Sequence, residues 1–294
     1  MPNIRALKER IGSVDNIRQI TRAMEMVATT KLRRFQSRAE SSSPYAAQVR
    51  ALTARLAGDR SAREGRPLFH PGRGEGRAIL LITSDRGLCG AYNSTVLREA
   101  ENFVETNGGR DAVDVFAVGR RAREYMRKRD YRVFDERTDL GGDVDSSLAN
   151  EIGNILIDRF RRGEAARVVL LFNRFVSAVK YVPKATQFLP LEAEKVGAVQ
   201  RDEIFHTEID YIMEPDAAAV FEALLPRYIR TRLFAALLEA LTSEHNARRL
   251  AMNSATENCE DMIDSLTLRM NKARQAAITK EILDIVGGAE ALRG

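Results

Sequence analysis

The stretch RYIRTRLFAALLEALTSEHNARRLAMNSATENCEDMIDSLTLRMNKARQAAITKEILDIV, from Arg227 to Val286, contains neither proline nor glycine. Along it Ile229, Leu233, Leu237, Leu241, Ala255, Cys259, Leu266, Met270, Ala273 and Ala277 fall at helical spacing and mark one apolar face. At 1.5 Å per residue such a helix is roughly 90 Å long, against the three or four turns of an ordinary globular helix. Its limits are readable too. Pro215, after Glu214, suits the first helical position, where its missing N–H costs nothing. Pro226 predicts a kink, and Gly287-Gly288 a C-terminal stop.

A second stripe lies at the other end of the chain. Ile4, Leu7, Ile11, Val14, Ile17, Ile20, Met24 and Val27 recur three or four apart and read as a coiled-coil seam. The step through Val14, Ile17 and Ile20 adds an extra three-residue spacing, a stammer that overwinds a supercoil locally. The stripe resumes at Leu32, Phe35, Ala39, Ala46, Val49, Leu52 and Leu56. Pro44 interrupts it, which predicts a bend near residues 41–45.

Composition sets outer bounds. The two stripes take nearly half of the 294 residues and leave about one small domain between them. The formal charge is +5. The excess sits in the first sixty residues, where Arg5, Lys8, Arg10, Arg18, Arg22, Lys31, Arg33, Arg34, Arg38, Arg50, Arg55 and Arg60 outnumber Glu9, Asp15, Glu25, Glu40 and Asp59. That face favours an acidic partner, or is a solvated helix surface. Cys89 and Cys259 have no metal or disulfide spacing and fit a reducing compartment. There is no signal peptide and no run of eighteen apolar residues, so a soluble chain without a membrane span is expected.

The middle has a different pattern. Glycine, arginine and proline crowd residues 58–76 and mark a boundary. Then come a strand at 78–83, a helix at 93–105, a strand at 112–118, a helix at 120–129, a short strand at 131–134, a helix at 146–160 and a strand at 168–172. Alternating β and α elements predict a mainly parallel open sheet with helices on its faces. Residues 179–191 read as an edge strand, where Pro183 and Pro190 are tolerated. The fold class is therefore α/β: a long two-helix coiled coil of the N- and C-terminal helices, plus a central Rossmann-like open α/β domain. The expected divisions are 1–58, 77–205 and 215–288.

The turn Thr83-Ser84-Asp85-Arg86-Gly87-Leu88-Cys89-Gly90 follows a strand and precedes a helix, where open α/β sheets place ligands. The chain has neither G-x-x-x-x-G-K-[ST] nor G-x-G-x-x-G, so the phosphate and dinucleotide fingerprints are missing. Cys89 as a nucleophile needs a base, and His70, His206 and His245 lie in no catalytic signature. The structural reading has Gly87 and Gly90 shaping a tight turn, Asp85 and Arg86 bonding the backbone, and Cys89 packed as a small hydrophobe. Asp139, Asp143 and Asp145 lack an EF-hand frame and read as helix-capping residues.

Five segments carry a resemblance: ITRAMEMVATTKLRR (Ile20 to Arg34), TSDRGLCGAYN (Thr83 to Asn93), EPD (Glu214 to Asp216), SEHNARRLAMNSATEN (Ser243 to Asn258) and NKARQAAITKEILDIVGGA (Asn271 to Ala289). In order and in register, over essentially the whole chain, they resemble the gamma subunit of the rotary F-type ATP synthase. The resemblance implies a rotor shaft: an antiparallel, left-handed coiled coil inside a ring of three alpha and three beta subunits. The middle domain would lie near the epsilon subunit and the membrane rotor ring of c subunits. Proton flow would turn the shaft, whose unequal faces drive the beta sites through open, loose and tight states. The catalytic residues then belong to the partners, with no catalytic, cofactor or metal residue in this chain.

The resemblance further implies partner contacts at Met26, Arg248, Gln275, Thr279 and Glu281. Arg248 offers a forked donor to carboxylates, and Gln275 and Thr279, four apart, share a helix face. Met26 has a competing reading as seam packing, beside Ile20 and Met24, and Glu281 as a solvated face residue. The apolar end Ile282, Leu283, Ile285, Val286, Gly287, Gly288, Ala289, Ala291 and Leu292 suits a bearing, or is seam core with a frayed end. Glu257 stands where aspartate is common in the family, and Met213 replaces an aromatic before Glu214-Pro215. No thiol-switch insert and no Arg/Ser-rich leader are present, which resembles a bacterial form, peripheral on the cytoplasmic face of the inner membrane. Two other classes compete. A nucleic-acid-binding coiled coil would use the basic arm but would not carry an α/β insert, and a small α/β enzyme would use Asp85 or Cys89.

Overall fold

The computed structural model describes residues 4–58, 65–70, 72, 76–140, 143–177, 180–192, 213, 214 and 216–291. The elements are α1 (Ile4–Gly58), β1 (Arg77–Ile82), α2 (Tyr92–Thr106), β2 (Val113–Val118), α3 (Arg120–Lys128), β3 (Val133–Arg137), α4 (Ser146–Arg161), β4 (Arg167–Ser177), β5 (Lys180–Leu189) and α5 (Ala217–Ala291). Two compact units result. One holds Met1–Thr29 and Arg248–Gly294, the other Thr30–Ala247.

The larger unit is built on a five-stranded sheet of order β3-β2-β1-β4-β5. β3, β2, β1 and β4 are parallel, and β5 is antiparallel on the edge. The run RAILLI of β1 is buried on both faces, which is why it is continuously apolar rather than alternating. Ile79, Leu81, Val115 and Ala117 face a core shared with Val96, Ala100 and Val104 of α2 and with Ala122 and Met126 of α3. Leu80, Ile82, Phe116 and Leu170 face the other core, with Ile152 and Leu156 of α4, Phe35 and Val49 of α1, and Phe221, Leu233 and Leu237 of α5. The helical stretches within this unit are thus part of its sandwich. Leu241 to Ala247 of α5 is buried all round, and the His245 ring stacks on Phe35 at 5.4 Å.

The smaller unit is an antiparallel helix pair. Buried or half-buried positions at seam spacing are Ile4, Leu7, Ile11, Val14, Arg18, Thr21, Glu25 and Ala28 on α1, and Met252, Thr256, Cys259, Ile263, Leu266, Met270, Ala273 and Ala277 on α5, with Asp15, Met24, Ala255 and Thr267 among the half-buried residues that flank them. Both series keep an unbroken three-four alternation, so no stammer exists. Ile17, Ile20 and Val27 are 51%, 60% and 57% exposed. The sequence alone favoured them because they are apolar; the real seam passes through polar residues that bond across it. Thr21 and Thr256 hydroxyls meet at 2.8 Å, and Arg18 pairs with Glu260 at 3.5 Å.

Two further expectations are corrected. α5 begins at Ala217, later than Pro215, because the Asp216 carboxylate accepts from the Ala219 N–H at 2.8 Å and serves as the N-cap. It also runs through Gly287 and Gly288 to Ala291. Glycine is merely a poor helix former, and the helical hydrogen bonds continue through it. The helical assignment of α1 includes Pro44, where a bend was expected; in the turn before it, Ser41 and Ser42 donate to the Arg38 and Ala39 carbonyls, both at 3.1 Å.

Candidate functional site

The carboxyl ends of β1, β2 and β3 form the place where an open α/β sheet would take a ligand. Here the chain fills it with its own groups. The Asp85 carboxylate accepts from the N–H of Arg120 at the start of α3 (2.9 Å), of Asp139 (3.0 Å) and of Leu140 (2.9 Å). A helix N-terminus and two loop amides, the donors an anion would need, are thus already satisfied. Asn93 fixes the other side: its amide donates to Ser84 Oγ at 2.8 Å and to Cys89 Sγ at 3.2 Å. Ser84 Oγ reaches the Arg86 carbonyl at 2.6 Å. Cys89 is 1% exposed and packs with Tyr92 and Ala247. A buried thiol in this setting is a packing residue rather than a nucleophile.

The three aspartates divide. Asp145 caps α4 by accepting from the Leu148 N–H at 2.9 Å, and this bond with the Ser147 hydroxyl holds its carboxyl below the ordinary range. Asp139 instead pairs with Arg120, which likewise holds it low. Asp143 is bound by Arg34 at 2.6 Å and Arg38 at 2.5 Å. Capping therefore describes Asp145 alone; residues distant in sequence claimed the other two.

A groove of about 540 Å³ opens between α1 and α5 within the larger unit, with Ala39, Ala47, Phe175, Tyr228, Leu238 and Glu239 in its wall. Burial pushes the Glu239 carboxyl above its ordinary 4.5, outweighing Arg174, Lys184 and the Phe175 N–H, which pull it down. A carboxylate raised in the folded state adds stability below its unfolded value and loses it as pH rises through the folded one. Glu239→Gln is therefore expected to stabilise the chain at pH 7, on the order of 0.5 kcal/mol for a group this exposed. Below pH 4.5 the gain should vanish, as urea melts at the two pH values would show.

The residues singled out as partner contacts are not gathered into one site. Arg248 is half-buried near one end of the helix pair, while Gln275, Thr279 and Glu281 are exposed toward the other. Arg248 and Gln275 are 27 residues apart on one helix, about 40 Å. Met26 is 60% exposed, which overturns its reading as seam core. The seam at that level runs through Glu25 and Ala28.

The bond at Thr21 and Thr256 sets the levels of the pair. One heptad on, Val14 falls level with Ile263, and two heptads on, Leu7 with Met270. Beyond Ala277, residues 278–289 of α5 are all exposed. Ile278, Ile282, Leu283, Ile285 and Val286 make this exposed stretch largely apolar. Such a surface normally marks a contact site. Its apolar composition was legible in the sequence, but its exposure was not. Among the described residues, no group of His, Cys, Asp and Glu could hold a metal ion, and no helix is long and apolar enough to cross a membrane.

Residues 3–292 match the family model described as ATP synthase. The ATP synthase gamma chain of Pelotomaculum thermopropionicum is 39% identical over 293 residues, covering 99% of this chain and all of the relative. That of Fuscovulum blasticum is 41% identical over 297 residues, covering 99% and 100%. Among solved structures, a chain of the Tetrahymena thermophila mitochondrial ATP synthase central stalk and c-ring matches with a TM-score of 0.61 and 25% identity, over 80% of this chain and 99% of that one. A chain of the Euglena gracilis mitochondrial ATP synthase (OSCP, F1 and c-ring) matches with a TM-score of 0.65 and 20% identity, over 98% and 94%. The α/β unit, the antiparallel helix pair and these full-length matches agree, and the chain belongs to the ATP synthase gamma chain family.

Proposed function

We propose that this gamma-family chain is the central rotor shaft of a proton-driven ATP synthase. It turns with a membrane ring of c subunits and drives conformational cycling of the beta-subunit sites, and it is not itself catalytic. The observation that carries this reading is the antiparallel helix pair, in which α5 from Ile278 on is an exposed helix rich in apolar side chains. Such an end can turn in an apolar sleeve without strong directional bonds at each angle. Two helices of different sequence have no rotational symmetry to match a threefold ring, so each orientation favours one site. Moving a two-state site from about 1:99 to 99:1 takes roughly 5.5 kcal/mol of differential interaction, within reach of a modest set of oriented contacts.

The partners proposed are the alpha and beta subunits of the hexamer, the epsilon subunit and the rotor ring, on the cytoplasmic face of a bacterial inner membrane. Met26, Arg248, Gln275, Thr279 and Glu281 are proposed as contacts with that hexamer. The exposure of Met26, Gln275, Thr279 and Glu281 supports this. Mixing the chain with alpha and beta subunits from one source tests the reading. A particle of hexamer mass plus one gamma chain that hydrolyses Mg-ATP, while the chain alone does not, supports it; failure to assemble counts against it.

Met26→Lys places a cation on that exposed surface, and coupling is expected to weaken. In membrane vesicles, ATP-driven proton pumping should fall several-fold per ATP hydrolysed while the complex still assembles. An unchanged ratio would remove Met26 from the contact set.

A further inference from the structure

The first helix offers two apolar stripes, and only one can face α5. Ile17, Ile20, Met24 and Val27 each precede by one residue the seam positions Arg18, Thr21, Glu25 and Ala28. The alternative seam is therefore a rotation of about 100° around the same helix. Apolar burial alone favours the alternative. It would bury three large side chains now more than half exposed and return Arg18, Thr21 and Glu25 to water. The structure has the opposite setting. What distinguishes it is a polar layer: Thr21 and Thr256, each 8% exposed, bond at 2.8 Å. Each hydroxyl also reaches a carbonyl of its own helix, that of Arg18 at 3.0 Å and of Met252 at 2.9 Å. One proton therefore crosses the seam while the other stays on its own helix. One turn away, Arg18 pairs with Glu260 at 3.5 Å and is braced by Asp15 at 2.8 Å.

We infer that the Thr21–Thr256 layer, with Arg18 and Glu260, is a rotational lock that decides which stripe of α1 becomes core. It thereby keeps Ile17, Ile20 and Val27 outward. Polar residues at single seam positions set register at a cost in stability, because the alternative leaves a buried hydroxyl facing apolar side chains. The exposed isoleucines are then a consequence of the lock. The inference concerns the helix pair alone and does not depend on what the chain assembles with.

Cys259 supplies the test, since it lies on the α5 seam at the level of Arg18. In full-length protein carrying Cys89→Ser, Ile17→Cys should form little disulfide with Cys259, because residue 17 points outward. Thr256→Val with Glu260→Gln removes the α5 half of the lock and leaves an apolar surface that prefers Ile20 and Val27. The intrachain disulfide, read as a mobility shift on a non-reducing gel, should then rise about tenfold, the population shift expected when roughly one net hydrogen bond is lost. Thr256→Ser with native Glu260 keeps the hydroxyl and should stay at the low level. A Val14→Cys, Ile263→Cys pair, with Cys259→Ser, should form readily in the locked chain and lose yield in the unlocked one. Circular dichroism checks that the helix pair persists, and if the double change melts it, Thr256→Val alone carries the comparison. Equal Ile17→Cys yields in locked and unlocked chains, high or low, would overturn the lock, as would a rise with Thr256→Ser as large as with Thr256→Val.

Discussion

Gly119→Ala is expected to destabilise the larger unit by at least about 3 kcal/mol, a large share of a domain's usual 5–15 kcal/mol. Gly119 links β2 to α3 with φ +92° and ψ 142°, a conformation essentially restricted to glycine. A Cβ there would land on the Thr83 carbonyl. Neither side can yield. Thr83 N–H donates to the Val118 carbonyl and the Gly119 N–H to the Arg137 carbonyl, both at 2.8 Å, and the Thr83 hydroxyl accepts from the Ala122 N–H at 2.8 Å. Backbone strain of about 1–3 kcal/mol adds to an overpacking cost of similar size. Urea unfolding would read the loss as a lower midpoint at unchanged slope. Gly288→Ala is the contrast: a Cβ there meets nothing within 4 Å, and helicity should rise slightly. A Gly119→Ala chain as stable as the parent would mean that β1 and β2 can separate at this end.

Asp85→Ala should cost about 3 kcal/mol by leaving the Arg120, Asp139 and Leu140 N–H groups without their shared carboxylate. Asp85→Asn, which keeps an acceptor but not the charge, should cost less. A second outcome separates this from generic damage. The vacated amides at the start of α3 make an anion site, so sulfate should raise the melting temperature of Asp85→Ala more than that of the parent. An equal sulfate response in the two proteins would show that the amides close on themselves instead. In the parent, Asp85 explains why a ligand-type sheet edge is a structural joint in a gamma-family chain.

Much of this was legible in the chain itself. The apolar runs AILLI and VVLLF, separated by amphipathic helices, carry the alternating order into a parallel sheet, and prolines in the last run put β5 on the edge. The TSDRGLCGAYN turn was readable as self-satisfied because it lacks the glycine spacing that lets backbone approach a phosphate. Asp139 and Asp143 were not readable, since their partners Arg120, Arg34 and Arg38 are 19, 109 and 105 residues away. Nor was the continuation of α5 through Gly287 and Gly288, because two glycines weaken a helix without forbidding one.

By itself the sequence determined that both ends are long helices with an α/β sheet between them. Periodicity and the absence of breakers are local properties, and they act before any long-range contact forms. Which face of α1 is buried was decided by tertiary structure. Hydrophobic spacing permits Ile17, Ile20, Met24 and Val27 as readily as Val14, Thr21 and Ala28, and a bond to Thr256, 235 residues away, favours the second. The same holds for residues 278–289 of α5, rich in apolar side chains but exposed throughout. Spacing along one helix cannot encode which of its apolar faces a second helix will cover.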